Sequence, residues 1–264
     1  MKKSGFKRKI WQSWLIIILY VGATVAVFRA IDARSHSASD TLINFAPRFL
    51  ILTVALYVIC RWKERKRVKG AAGVLLRGGI AVILTDTTYG IVGSAFNEKV
   101  VNEIYRLRKR DLNKPFIILI ADKSDLKKFG VVPTEAQNKI LDRVWPGPTS
   151  VILPCTGEKF SYLHRGKNTL AFRCPSEREL RALLHKVGPL VAPSANPQGL
   201  PVARTIAEAR AYFGHHARPV RGREGSQCVF DSNGVNFYQD GGAVAAPPSR
   251  LIDVTDGTEK MLRS

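Results

Sequence analysis

The sequence predicts an α/β domain, a mixed sheet with flanking helices over residues 71–264, preceded by a transmembrane helical hairpin in residues 1–70. Two observations set the domain class. After Gly70, short β-branched runs alternate with amphipathic stretches that begin at capping residues. With 45% hydrophobic residues, the chain can also bury a sizeable core. The hairpin rests on a third observation: two long apolar runs near the N-terminus, bracketed by Lys and Arg.

The first run, Ile10–Phe28, is broken only by Gln12, Ser13 and Thr24. At helical rise it reaches about 28 Å, the thickness of a hydrocarbon core. Trp11 and Trp14 stand at its start, where interfacial aromatics belong. The second run, Thr41–Cys60, is weaker, because Asn44, Pro47 and Arg48 fall in its first half. It spans if Arg48 snorkels and Pro47 sits near the helix start. Residues 1–70 hold 14 basic and 3 acidic residues, over half of the chain's net +20. Most of the basic ones lie before the first run or after the second, so both ends are expected in the cytoplasm. A signal peptide is disfavoured, since Phe28-Arg29-Ala30-Ile31 is a poor cleavage site.

Lys69–Gly73 reads as a linker. Beyond it the expected strands are Ile80–Leu84, Phe116–Ala121, Ser150–Leu153, Thr169–Arg173, Leu190–Ala192, Cys228–Phe230 and Arg250–Val254, several nearly all apolar, as in a sheet covered on both faces. Asn97 caps a helix over Glu98–Arg108. Thr134 with Gln137, Ser176 with Glu179 and Thr205 with Glu208 have capping-box spacing. Cys60, Cys155, Cys174 and Cys228 lack metal-ligand spacing and read as reduced thiols. No metal site is expected, and His164, His185, His215 and His216 read as surface residues.

Four stretches stand out from scaffolding. Leu84-Thr85-Asp86-Thr87-Thr88-Tyr89-Gly90 places hydroxyls after a buried strand, where they can bind a small polar ligand or simply close a Ser/Thr turn. Arg106 to Pro115 is basic at a helix end, suited to a polyphosphate clamp or to the helix dipole. Ala192-Pro193-Ser194-Ala195-Asn196-Pro197 is a stiff loop of small residues. Asp240-Gly241-Gly242 and Pro248-Ser249-Arg250 close the set.

In order, Thr85-Asp86-Thr87-x-Tyr89-Gly90, Tyr105-x-Leu107-x-x-Arg110-x-x-x-Lys114-Pro115, Trp145-Pro146-Gly147-Pro148, Ala171-x-Arg173-x-Pro175, Ala192-Pro193-Ser194-Ala195-Asn196, Asp240-Gly241-Gly242 and Pro248-Ser249 resemble the YrdC/TsaC family. The resemblance runs from about Gly78 to Arg263. Those proteins make threonylcarbamoyl-adenylate from L-threonine, bicarbonate and ATP, with a YrdC-like twisted sheet and a basic concave cavity. For this chain it implies L-threonine contacts at Thr87, Arg173 and Ser249. It implies ATP contacts at Arg110, Lys114, Thr169, Ala192, Ser194 and Arg263, with Thr85, Tyr89, Arg108 and Asn196 as additional site residues. Mg2+ is expected with ATP, no covalent nucleophile is expected, and the family's setting adds tRNA and a threonylcarbamoyl transferase as partners. Departures are Leu84 and Asp111 where Pro is usual, Arg108 where Lys is common, Ser150 for Thr, and Arg250 for Thr. The competing reading is a membrane-tethered RNA-binding module without synthase activity, drawing on the remaining positive charge.

Overall fold

The computed structural model describes residues 70–214, 234–244 and 247–264. The chain divides into two units, Met1–Glu64 and Arg65–Ser264, and every described residue belongs to the second. The expected hairpin, the expected strand at 228–230, and His215 and His216 lie outside the described residues. Among the described residues, no helix is long and apolar enough to cross a membrane.

The strands are β1 (Ala81–Leu84), β2 (Tyr89–Ser94), β3 (Ile117–Leu119), β4 (Thr149–Pro154), β5 (Thr169–Arg173), β6 (Leu190–Val191), β7 (Phe237–Tyr238), β8 (Arg250–Asp253) and β9 (Lys260–Arg263). They form one sheet in the order β7-β1-β2-β6-β3-β5-β4-β8-β9. It is mixed: β1–β7, β3–β5 and β4–β8 run parallel, and the other neighbours antiparallel. The helices are α1 (Glu98–Arg108), α2 (Glu135–Val144), α3 (Ser161–His164), α4 (Arg178–Val187) and α5 (Ile206–Phe213), with 3-10 turns at Lys123–Phe129 and Glu158–Phe160.

The apolar strands are apolar because both faces are covered. Val82, Ile91, Ile118 and Val191 enter one core with Val101 and Ile104 of α1 and Leu141 of α2. Their neighbours Ala81, Ile83, Val92, Leu119 and Leu190 enter a second core with Leu180, Leu183 and Leu184 of α4. The period of two divides each strand between these layers. Ala71, Ala72 and Leu75 join the second core. The expected linker is thus corrected in part: residues 70–75 are helical, because their small apolar side chains cover the sheet.

Asn97 caps α1 by accepting from the Val100 N–H, and Thr134 and Gln137 form a reciprocal box on α2. At α5, Thr205 accepts from the Glu208 N–H, but Glu208 reaches Arg204 N instead of closing the box. The Ser176 box is a correction. Helix α4 starts one residue later, with Glu177 at the cap and no side-chain capping bond. Strand β2 escaped the sequence reading because Gly90 and Gly93 dilute its pattern. Gly93 is forced: a Cβ there would lie 2.3 Å from Val100 Cγ1, where α1 packs on the strand. His164, expected on the surface, is buried; its Nδ1 accepts from the Gly166 N–H as α3 ends.

The Trp145–Gly147 turn is structural. Trp145 Nε1 donates to Thr149 O at 2.7 Å, and Gly147 N donates to Cys174 O at 2.9 Å, joining the start of β4 to the end of β5. A Cβ on Gly147 would sit 2.5 Å from Val144 O. Gly147→Ala is expected to cost about 1–3 kcal/mol of stability, seen as a lower denaturation midpoint; an unchanged midpoint would show that the turn relaxes freely.

Candidate active site

The loops after β1 and β6, together with the end of α1, the start of β3, the end of β5, the segment before β8 and the end of β9, line a cavity of about 190 Å³ within a recess of about 730 Å³. Its lining includes Thr85, Thr87, Arg108, Arg110, Arg173, Ala192, Ser194, Ser249 and Arg263. Nine of the thirteen site residues expected from sequence therefore meet here, drawn from positions 85 to 263.

Each is placed by its backbone. Thr85 Oγ1 donates to Thr88 O at 2.8 Å and accepts the N–H groups of Thr87 and Thr88 at 3.3 Å. The hydroxyl-rich loop is therefore a Thr turn at Thr85 that presents Thr87 to the cavity, and both readings of it hold at different residues. Ala192 N donates to Ile117 O at 2.9 Å, Ile91 N to Pro193 O at 3.0 Å, and Ala195 N to Tyr89 O at 2.8 Å. The small-residue loop is thus stitched between β3 and β2, leaving the Ser194 side chain on the wall.

Four guanidinium groups converge on this space. Arg173, at the end of β5, directs Nη1 to Thr87 Oγ1 at 3.3 Å and Nη2 to Asp86 Oδ1 at 3.2 Å. Arg108 donates Nε to Asn196 O at 2.8 Å and Nη2 to Ser194 Oγ and Asn196 Oδ1 at 3.2 Å each. Its Nη1 is buried without a partner. Arg110 lies 5.5 Å from the Phe116 ring centroid and donates Nε to Lys114 O. Arg263 donates Nε to Ser249 O at 2.9 Å and Nη2 to Ser249 Oγ at 3.2 Å. Ser249 Oγ is also 3.1 Å from Ser150 Oγ, so the Ser150 departure supplies a partner to a site hydroxyl.

Burial pulls the pKa of all four arginines down, and repulsion from Arg110 on Arg108 and from Arg263 on Arg110 and Arg173 adds to it. For Arg108 the value falls to about 10, from burial first and Arg110 second. It stays protonated at neutral pH, so the fold carries desolvated positive charge that an anion would relieve. Asp86 is the acidic group in this cluster. Burial raises its pKa, while Arg173 opposes the rise.

Four expected residues fall outside the lining. Tyr89 is fully buried; its hydroxyl donates to Gly242 O and accepts from Gly241 N, both at 2.8 Å. Asn196 supports from behind, accepting Arg108 and donating to Pro197 O and Leu200 O. Lys114 is exposed, and its carbonyl is what Arg110 and the Tyr105 hydroxyl bind. Thr169 shares the face of β5 that carries Arg173 but sits four residues earlier, about 13 Å along the strand. The sequence reading missed Asp86 as an individual contributor, along with the apolar wall of Phe116, Ile117 and Val202. Asp86 was visible within its motif; Val202 carried no signal. Among the described residues no group of three or more His, Cys, Asp or Glu could hold a metal ion.

The family model for the Sua5/YciO/YrdC domain, described as "Telomere recombination", matches residues 73–228. The chain belongs to that family. The Sua5/YciO/YrdC assignment takes in the segments that supply Thr87, Arg108, Arg110, Arg173 and Ser194. A threonylcarbamoyl-AMP synthase of Thiobacillus denitrificans is 31% identical over 197 residues, covering 74% of this chain and 94% of that protein. One from Cellvibrio japonicus is 29% identical over 154 residues, 58% of this chain and 82% of that protein. Among solved structures, Pyrococcus abyssi Sua5 complexed with L-threonine superposes with a TM-score of 0.62 at 26% identity. That match covers 74% of this chain and 53% of the other, so this chain spans about half of that protein's length.

Proposed function

We propose that the chain is an L-threonylcarbamoyladenylate synthase, converting L-threonine, bicarbonate or CO2, and ATP to threonylcarbamoyl-adenylate and pyrophosphate, for N6-threonylcarbamoyladenosine formation in tRNA. The observation that carries it is the convergence of four guanidinium groups, those of Arg108 and Arg173 buried, with the hydroxyls of Thr87 and Ser249 in one cavity, in a family whose named relatives hold this activity.

Arg173, Thr87 and Ser249 take the amino acid. The guanidinium binds its carboxylate, and the hydroxyls orient its amine and side chain. Arg108, Arg110 and Arg263, with Ser194 and the Ala192 backbone, take the nucleotide phosphates. Lys114 and Thr169, which stand outside the lining, would contact the nucleotide beyond it, and Mg2+ would arrive with ATP as its substrate complex. The threonine amine adds to CO2, giving a carbamate and releasing a proton. The carbamate oxygen then attacks the α-phosphorus, and the bond to pyrophosphate breaks as the new P–O bond forms. Positioning and charge neutralisation supply the catalysis, and no side chain need form a covalent bond. Residues 1–70 would hold this domain at the cytoplasmic face of a membrane, where a threonylcarbamoyl transferase would collect the product.

The full chain, given L-threonine, bicarbonate, Mg2+ and ATP, is expected to release pyrophosphate only when threonine is present. Folded protein that releases none, or that releases it equally without threonine, would sink this reading. Salt-weakened binding of tRNA under that outcome would point to the RNA-binding module.

A further inference from the structure

We propose that Ser150, which stands behind the cavity wall, fixes the direction in which the Ser249 hydroxyl bonds. Ser150 donates to Ser249 and so leaves that hydroxyl able only to donate to the amino acid. Ser249 then meets an oxygen of the substrate, its carboxylate or its side-chain hydroxyl, and not its amine. Ser150 is thus a positioning residue. This rests on the synthase reading and adds to it the polarity of one substrate contact.

The directions follow from counting protons. A hydroxyl has one proton to donate and two lone pairs that accept. A guanidinium can only donate, so the 3.2 Å contact from Arg263 Nη2 fills one lone pair of Ser249 Oγ. Ser150 Oγ lies 3.1 Å from Ser249 Oγ, and that contact by itself permits either oxygen to be the donor. Burial decides between them. Ser150 is fully buried in β4, and among the described residues Ser249 Oγ is the one partner of its hydroxyl. Were Ser249 the donor, the Ser150 proton would be sealed behind the wall without an acceptor, an arrangement that folded proteins rarely keep. Ser150 therefore donates. Both lone pairs of Ser249 are then filled, and its own proton is left for the cavity it lines.

Thr87, on the same lining, is built the other way. Thr85 spends its proton on Thr88 O at 2.8 Å, so it cannot donate to Thr87 Oγ1, 3.3 Å away. Arg173 Nη1 fills one lone pair of Thr87, and the second stays open whichever way the Thr87 proton turns. Of these two hydroxyls, one can accept an N–H and the other cannot. An amino acid set against both has its amine at Thr87 and an oxygen at Ser249. The nitrogen that adds to CO2 is thereby told apart from the oxygens before any chemistry begins.

The test measures initial rates of adenylate formation by the full chain, varying threonine and ATP in turn. Ser150→Ala should raise the threonine KM about fivefold, the worth of an ordinary hydrogen bond. The ATP KM and kcat should each move by less than about twofold. Ser150→Thr, which keeps the hydroxyl, should restore the threonine KM. With Ser249→Ala already present, Ser150→Ala should add nothing. A threonine KM that is unchanged or lowered in Ser150→Ala overturns the proposal, because a Ser249 that had been donating to Ser150 would be released to bond the substrate. Equal rises in both KM values overturn it too, as does a full rise in the Ser249→Ala background, since each marks a general disturbance of the sheet. Should Ser150→Thr fail to fold, the double variant decides alone. If the unmodified chain forms no adenylate, the synthase reading fails separately, and the same variants are compared for threonine binding by calorimetry. A Kd raised in Ser150→Ala but not raised further over Ser249→Ala upholds the polarity. An unchanged Kd, or no threonine binding by the unmodified chain, overturns it.

Discussion

Arg173→Ala is expected to raise the threonine concentration for half-maximal pyrophosphate release by about 100-fold, with the ATP requirement little changed. A charge-assisted hydrogen bond contributes about 1.5–3 kcal/mol, and the upper part of that range corresponds to about 100-fold in affinity. The substitution should also lower stability, because it strands Asp86. Breaking a buried ion pair from one side costs about 3–5 kcal/mol. The two effects separate by pH. The Asp86 pKa already stands above its usual 3.8 through burial, and Arg173 is the first influence holding it down. Without that cation the pKa rises further. A carboxyl whose folded-state pKa is raised favours the fold fully below about 3.8 and loses that contribution as pH climbs through the raised value. The stability deficit of Arg173→Ala should therefore be largest at neutral pH and shrink as the solution is acidified. Thermal midpoints of both proteins across this range give the comparison. A deficit independent of pH would mean that Asp86 is not the group stranded, and an unchanged threonine requirement would remove Arg173 from the amino-acid site.

How far this site was legible in the sequence differs residue by residue. Thr87, Arg173 and Ser249 were readable because motif order survives in the chain, although the sheet order scatters their strands. Strands β1, β3, β4, β5 and β6 were readable because two-sided burial makes them largely apolar. Strands β7 and β9 were not. β7 has two residues and β9 is exposed throughout, so neither carries a burial pattern. Tyr89 looked like a site residue because it shares a motif with Thr87, yet its hydroxyl closes the Asp240–Gly242 loop against the start of β2. Two motifs that appeared separate are one structural contact, a fact that only proximity across about 150 positions reveals. The charge balance of the cavity was equally hidden. Net charge counts all arginines alike, whereas one of these four is neutralised by a carboxylate.

Arg108→Ala tests the other end of the cavity and is expected to raise the ATP requirement by about 100-fold while leaving the threonine requirement within a few-fold. Arg108 does two things at once. Its Nε and Nη2 hold Asn196 and Ser194, fixing the loop between β6 and α5 against the end of α1. Its Nη1 is buried without a partner, in a residue that lines the cavity, and under the proposed function it is the donor left for a phosphate oxygen. Alanine removes both, and the stranded Asn196 carbonyl adds about 1–3 kcal/mol of destabilisation. Arg108→Lys separates the roles. An ammonium keeps the charge near the phosphates but cannot span Asn196 and Ser194 with a planar fork. Lysine should recover most of the ATP affinity, because an ammonium supplies the same positive charge to a phosphate. It should recover less of the stability, because Asn196 O and Asn196 Oδ1 cannot both be satisfied. If lysine restores stability and not ATP affinity, the guanidinium serves the nucleotide through its geometry, and the loop is held by other contacts. The backbone bond from Gln198 N to Arg108 O, 2.7 Å long, is the contact that would then carry the loop.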